Sequence, residues 1–301
     1  MSKYSDNKEL FMEPKTTQYG SHMVMTNVVK NTKRKYINID TRFRDEYNSS
    51  QTANYNITLP ERLTEVKTMT ITNIEIPISF YNISSSNGNH VFKIKNTDTD
   101  TTTIIDISDN NYTTNVFTSI NTKLHIVDSD LSLNYSNNKA YFSSKTNNYE
   151  IDFAIDSTGN FDKYQFRSKL GWLLGFRDVS YNISPGSSTD SEALYDLNGS
   201  RYLYLAIDEF TRGNQHSFIS PLPKSLINKN IIARISLDSN SYDFGSIFSA
   251  NRMNGTLVSD FRNYSGKADL QKLNIQLLNE YGNPVNLNGL DFSFSMEVEH
   301  E

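Results

Sequence analysis

Leu290-Asp-Phe-Ser-Phe-Ser-Met-Glu-Val298 alternates apolar and polar side chains without a break. Leu290, Phe292, Phe294, Met296 and Val298 fall on one side of an extended chain, and Asp291, Ser293, Ser295, Glu297 and Glu299 on the other. A period of two with one wet face marks an antiparallel strand packed on one side. At about 3.4 Å per residue this run covers roughly 30 Å, enough to cross a whole sandwich. The same alternation recurs upstream. Tyr55, Ile57 and Leu59 oppose Asn54, Asn56 and Thr58; Leu131, Leu133 and Tyr135 oppose Ser132, Asn134 and Ser136. Ile151, Phe153 and Ile155 oppose Glu150 and Asp152, and Leu273, Ile275 and Leu277 oppose Asn274 and Gln276.

Further strands are expected over 35–40, 66–78, 90–95, 102–107, 139–143, 202–207 and 231–237. Within 66–78 the phase changes, since Met69 and Ile71 are odd-numbered while Ile74, Ile76 and Ile78 are even. One face cannot bury both sets at constant register, so a bulge or bend is expected near Thr72-Asn73. Two segments carry helical spacing. One is 113–124, with Val116, Ile120 and Leu124 behind the capping candidates Thr113 and Thr114. The other is 163–174, where Phe166, Leu170, Leu173 and Leu174 form a stripe that stops at Gly175. Residues 178–200 and 238–268 read as long loops, and residues 1–33 as a flexible N-terminal arm. About a dozen strands with two short helices give an all-β class. The expected architecture is an antiparallel β-sandwich over 34–301, a single jelly roll with added strands and an insertion around 109–160.

The 301 residues are 37% hydrophobic with a mean hydropathy of −0.56, so the core must be thin. Large buried surfaces then fall to 18 Tyr and 17 Phe. Net charge is −5, from 29 basic and 34 acidic residues spread along the chain. Lys33-Arg34-Lys35 is the one basic cluster and reads as a solvated entry to the first strand, so specific nucleic-acid binding is not expected. The absence of cysteine removes disulfides, thiolate chemistry and Cys-bearing zinc sites, and suits a reducing cytosol. No apolar stretch has the length of a membrane span.

Chemistry-bearing motifs are missing too. No two of His22, His90, His125, His216 and His300 sit at i,i+2 or i,i+4, and neither a nucleophile elbow nor a phosphate loop occurs. The acid pairs Asp98/Asp100, Asp106/Asp109 and Asp128/Asp130 read as solvated loop acids. The run Asp238-Ser-Asn-Ser-Tyr-Asp-Phe-Gly245 lacks the bidentate Glu and spacing of a calcium loop and reads as a turn built on Asx side chains. No catalytic, cofactor-binding or metal-binding residues are therefore expected, and the chain does not read as an enzyme. Four aromatics stand out as anchors of a core or of a subunit interface: Trp172, the only tryptophan, with Phe176 close behind, and the strand pair Tyr202 and Tyr204.

Several stretches, in order, resemble a known family. They are Lys35-Tyr-Ile-Asn-Ile-Asp-Thr-Arg-Phe-Arg-Asp45, Tyr55-Asn-Ile-Thr-Leu-Pro-Glu61, and Val66-Lys-Thr-Met-Thr-Ile-Thr-Asn-Ile-Glu-Ile-Pro-Ile-Ser-Phe-Tyr81. Lys169-Leu-Gly-Trp-Leu-Leu-Gly-Phe176, Tyr202-Leu-Tyr-Leu-Ala-Ile-Asp208 and the stretch from Leu273 to Phe294 follow. From about residue 35 to the C-terminus the chain resembles minor capsid and penton (vertex) proteins of the nucleocytoplasmic large DNA viruses, the giant viruses. The resemblance implies a jelly-roll capsid subunit without catalytic residues, foremost a penton that closes icosahedral vertices as a homo-pentamer. It also implies the major capsid protein and other minor capsid proteins as partners, and a chain made in the host cytoplasm and carried in the virion. The alternative from the residues alone is a glycan-binding fibre or lectin-like β-sandwich module.

Overall fold

The structure is a computed structural model describing residues 32–48, 51–210, 230–237 and 243–301. Residues 1–31 of the expected arm, and 238–242 of the Asx-rich turn, lie outside the described residues. The strands are β1 (Lys33–Asp40), β2 (Asn54–Pro77), β3 (Val91–Asn96), β4 (Thr101–Asp106), β5 (Ser132–Ser136), β6 (Lys139–Ser143), β7 (Tyr149–Asp152) and β8 (Ser180–Ile183). They continue with β9 (Ser188–Asp190), β10 (Tyr202–Asp208), β11 (Ile231–Ser236), β12 (Ile247–Asn251), β13 (Leu257–Ser259), β14 (Arg262–Leu278) and β15 (Ser293–His300). The described residues also hold two short α-helices, α1 (Asn115–Val127) and α2 (Leu170–Leu173), and two 3-10 stretches, Thr41–Phe43 and Lys163–Ser168.

Eight strands form one curled antiparallel sheet in the order β1-β15-β2-β14-β10-β11-β13, with β12 also on β2. The all-β antiparallel sandwich expected from the alternation is thus present, with the strand number of a single jelly roll. Seven added strands form two smaller sheets, β4-β3-β7-β8 and β5-β6-β9. The curled sheet wraps a mainly aliphatic core that includes Met69, Ile71, Ile74, Leu205, Ile275 and Met296, all at 0% exposure. A second, more aromatic core gathers residues from Ile83 to Ile183, and the four buried residues Val116, Phe117, Ile120 and Leu124 of α1 pack into it.

The phase change in β2 is resolved where the sequence placed it. Ser295 pairs with Asn73 but Met296 pairs with Ile71, so Thr72 is left over as a bulge. Its hydroxyl donates to the Ser295 carbonyl at 3.1 Å. The extra residue lets odd-numbered Ile71 and even-numbered Ile74 both reach the same core.

Other expectations need correction. The stretch 178–200 carries β8 and β9, and 238–268 carries β12, β13 and the start of β14. These strands are short or polar, and their pairing is with distant partners, so no local alternation announces them. The final strand begins at Ser293, not Leu290, which sits in a turn at 48% exposure. Neither Thr113 nor Thr114 caps α1 with its hydroxyl; the Asn115 side-chain oxygen instead accepts the Thr113 N–H at 2.9 Å. The second helical segment is a 3-10 stretch over Lys163–Ser168 followed by the single turn of α2.

Gly175 ends that turn as expected, with φ +96°. A Cβ there would lie 2.2 Å from the Ala193 carbonyl oxygen, and the Gly175 carbonyl accepts the Ala193 N–H at 3.0 Å. Gly175→Ala combines a left-handed backbone with a backbone clash, so it is expected to lower stability by at least about 2 kcal/mol. A drop in the thermal midpoint of the purified variant would show it; an unchanged midpoint would contradict this geometry.

Candidate interaction surfaces

The four aromatic candidates divide between two clusters. Phe176 is fully buried in the second core, stacked on Phe153 at 5.2 Å and edge-on to Tyr181 at 4.9 Å. Trp172 is half-buried at the rim of that core, with Phe166 edge-on at 5.8 Å. The Arg177 guanidinium lies 4.1 Å from the indole centroid and is fixed by donating to the carbonyls of Trp172 and Phe176. Tyr202 and Tyr204 lie on the face of β10 that turns away from Leu203, Leu205 and Ile207. There Tyr204 is buried with Ala206, Ile231 and Leu278 by the chain's own residues, and Arg234 covers the half-buried Tyr202 at 4.3 Å.

Tyr281 bridges the two clusters. Its hydroxyl donates to the Arg167 carbonyl at 3.0 Å, and the Arg167 guanidinium stands 5.9 Å from the Trp172 ring. Burial pushes the Tyr281 phenol up to about 12. Burial likewise raises the neighbouring Glu280 carboxyl above its ordinary range, against the pull of Arg201. The cleft here, lined by Asn82, Asn279, Glu280 and Tyr281 among others, holds only about 40 Å³. That is room for a few waters, far short of the 300 Å³ or more of ligand sites.

Apart from Asp106, which ends β4, the paired acids lie in turns and loops. Asp98 accepts the Asn148 N–H at 2.7 Å, Asp100 pairs with Lys95 at 2.6 Å, and Asp109 accepts the Ser85 N–H at 2.7 Å. Asp128 accepts from the Tyr149 hydroxyl and from the Asp130 N–H, and these bonds hold its carboxyl below the usual range.

Two features escaped the sequence. The first is a surface at one end of the sandwich, built on the turn after β1. Phe43 is 73% exposed, Tyr47 51% and Ile247 72%. Arg44 lies 4.0 Å from the Tyr47 ring centroid and is held by Asp291 at 3.0 Å; Arg42 is clamped by Asp40 at 2.5 Å. Beside Arg42 and Ile247 opens a cavity of about 320 Å³, whose lining also includes Asp40, Glu75, Pro77 and Asp291. The only local hint was Thr41-Arg-Phe-Arg-Asp45, arginines flanking an aromatic directly after a strand. The second feature is a fully buried ion pair, Arg262 with Glu209 at 2.5 Å. Arg262 also donates to the carbonyls of Ile207 and Asn230, and the Tyr264 hydroxyl donates to Glu209.

No family model and no curated protein matches the chain. Among solved structures it is similar to the mavirus penton protein, with a TM-score of 0.39 and 11% identity over 90% of this chain and 100% of that one. It is also similar to a chain of the Sputnik virophage structure, with a TM-score of 0.42 and 12% identity over 88% of this chain and 97% of that one.

Two outcomes follow from the buried groups. Glu209→Ala strands the Arg262 charge in the core and is expected to cost about 3–5 kcal/mol, read as a fall in denaturant midpoint; a loss below about 1 kcal/mol would contradict the pairing. For Glu280, a carboxyl raised in the folded state favours folding fully below its unfolded pKa, and that contribution fades as pH climbs through the folded value. Glu280→Gln should therefore raise the thermal midpoint near pH 7 and leave it unchanged near about pH 3. Equal shifts at both pH values would sink the charge argument.

Proposed function

We propose that the chain is a structural subunit of a viral capsid and works through contacts with neighbouring chains rather than through a pocket. The observation that carries this reading is the surface around Phe43, Tyr47 and Ile247, where exposed apolar side chains sit beside arginines already fixed by carboxylates. Aromatics and arginine are the residue types enriched in interface centres, and the cavity lined by Arg42 and Ile247 offers a recess for a partner's side chain. The order of motifs from Lys35 to Phe294 supports the same reading.

In its specific form the chain is the penton subunit, a homo-pentamer whose neighbours are the major capsid protein and other minor capsid proteins. Its residence is the virion, after synthesis in the host cytoplasm. Residues 34–301 are the jelly-roll domain with its insertion around 109–160. Five-fold closure needs two different complementary faces per copy. Trp172, half-buried under Arg177, serves as an interface anchor, while Phe176, Tyr202 and Tyr204 brace the cores behind it.

The test is association. The purified chain should form a discrete ring-sized species by sedimentation and join lattices of a major capsid protein. Phe43→Glu and Ile247→Glu, both at highly exposed positions, should weaken that association at least about ten-fold, which is 1.4 kcal/mol, with the thermal midpoint of the monomer unchanged. A chain that remains monomeric at high concentration, or variants that associate as well as the parent, would overturn the reading.

A further inference from the structure

The recess beside Arg42 carries a negative charge that the chain does not match. Glu75 of β2 stands in one row with Ser293 of β15 and Asp40 of β1. Its two carboxylate oxygens accept from neutral donors, the Asn73 side-chain amide at 2.8 Å and the Ser293 hydroxyl at 2.9 Å. These bonds aim the half-buried carboxylate without neutralising it, and Glu75 makes no ion pair among the described residues. The other two carboxylates in the lining are matched, Asp40 by Arg42 and Asp291 by Arg44. One anion is left over. Removing it further from water under a partner would be costly unless that partner brings a cation.

The rest of the lining says which cation fits. Pro77, Phe292 and Ile247 give the recess an apolar wall beside Glu75. A lysine has the same two parts, a methylene stem that packs on apolar surface and a charged head. Each Glu75 oxygen already holds one donor and keeps one lone pair, which suits a compact ammonium better than a forked guanidinium. The chain itself carries such lysines. Lys33, Lys123, Lys139 and Lys272 are exposed and make no ion pair among the described residues. Lys33 opens β1 and Asp40 ends it, so roughly 24 Å of strand separates Lys33 from the recess of its own copy.

We infer that this recess is a socket for a lysine side chain of a neighbouring copy, with the ammonium on Glu75 and the stem against Pro77 and Ile247. The inference rests on the assembly reading above and names one contact within it. A socket on one face and a lysine on another make a heterologous contact, the kind from which rings are built. Such a pair fixes register and rejects neighbours that present an apolar or acidic side chain at this point.

A carbodiimide, which joins a carboxylate directly to an amine in contact with it, tests the socket on the assembled full chain, with the bond located by mass spectrometry. A Glu75–lysine link between two copies is expected in the assembly and absent from the dilute monomer. Glu75→Gln keeps the shape and removes the charge; it should weaken association about ten-fold and reduce its sensitivity to salt, with the monomer's thermal midpoint not lowered. Glu75→Lys should abolish association, and replacing the linked lysine by Glu in the same chain should restore it. An assembly that gives no such link, or that tolerates Glu75→Gln, overturns the socket and leaves the assembly reading standing. A link from Glu75 only to its own copy, or only to a different capsid protein, overturns the contact between copies. A chain that never assembles overturns both.

Discussion

Backbone hydrogen bonding along Asn54–Pro77 is the constraint on which the rest of the molecule depends. Twenty-four residues in one strand would run roughly 80 Å if straight, well beyond the breadth of the domain. Both rows of backbone polar groups need partners over most of that length. Three strands share the task. β14 serves one edge as far as Met69, β12 takes over that edge from Asn73, and β15 holds the opposite edge from Val66 to Glu75. The strand bends where the registers break, at Glu65 with φ +51°, at Lys67 and at Thr72. These irregularities curl the sheet until Leu63, Met69 and Ile76 face one another across a single core.

The two cores solve a shortage of apolar residues in different ways. Inside the curled sheet, aliphatic side chains from distant strands interdigitate. The second core has shorter strands and relies on ring-to-ring contact: Phe92, Phe142, Phe153 and Phe176 form a chain of centroids 5.2–6.3 Å apart. Asparagine fills much of the remaining need. Asn82 bonds the Tyr112 N–H and the carbonyls of Tyr112 and Leu197, while Asn121 bonds both backbone groups of Leu133. Each such side chain satisfies backbone groups where no strand partner is available.

What was legible in the sequence was whatever a local period could announce. The alternation at Phe292–Val298, the phase break at Thr72 and the i,i+4 stripe of α1 all follow from side-chain direction, a property of neighbouring residues. What was illegible depends on partners far along the chain. β12 and β13 are strands because residues 73–77 of β2 and 233–235 of β11 offer them edges, not because of their own composition. Arg262 reads as an ordinary surface cation in a polar stretch; only its meeting with Glu209, more than fifty residues away, makes it a core residue. The aromatic candidates show the same division. Size marked Trp172 and Phe176 as anchors, but their spacing could not tell which would face inward: Phe176 is sealed in the core and Trp172 stays at its rim.

Exposed apolar side chains taken singly are ordinary on a soluble protein. The surface at the end of β1 differs in the state of its charges. Arg44 is almost wholly buried, with its side chain 6% exposed, and is already bound to Asp291 with its guanidinium over the Tyr47 ring. Most of its desolvation and side-chain ordering has therefore taken place in the isolated chain. A partner covering Phe43, Tyr47 and Ile247 would meet arginines already paired with carboxylates. Association there would then spend less free energy on ordering Arg44 and stripping its water. A long strand that must change partners forces the bend, the bend fixes where β1 and β15 end, and their ends place this pre-formed surface at the margin of the sandwich.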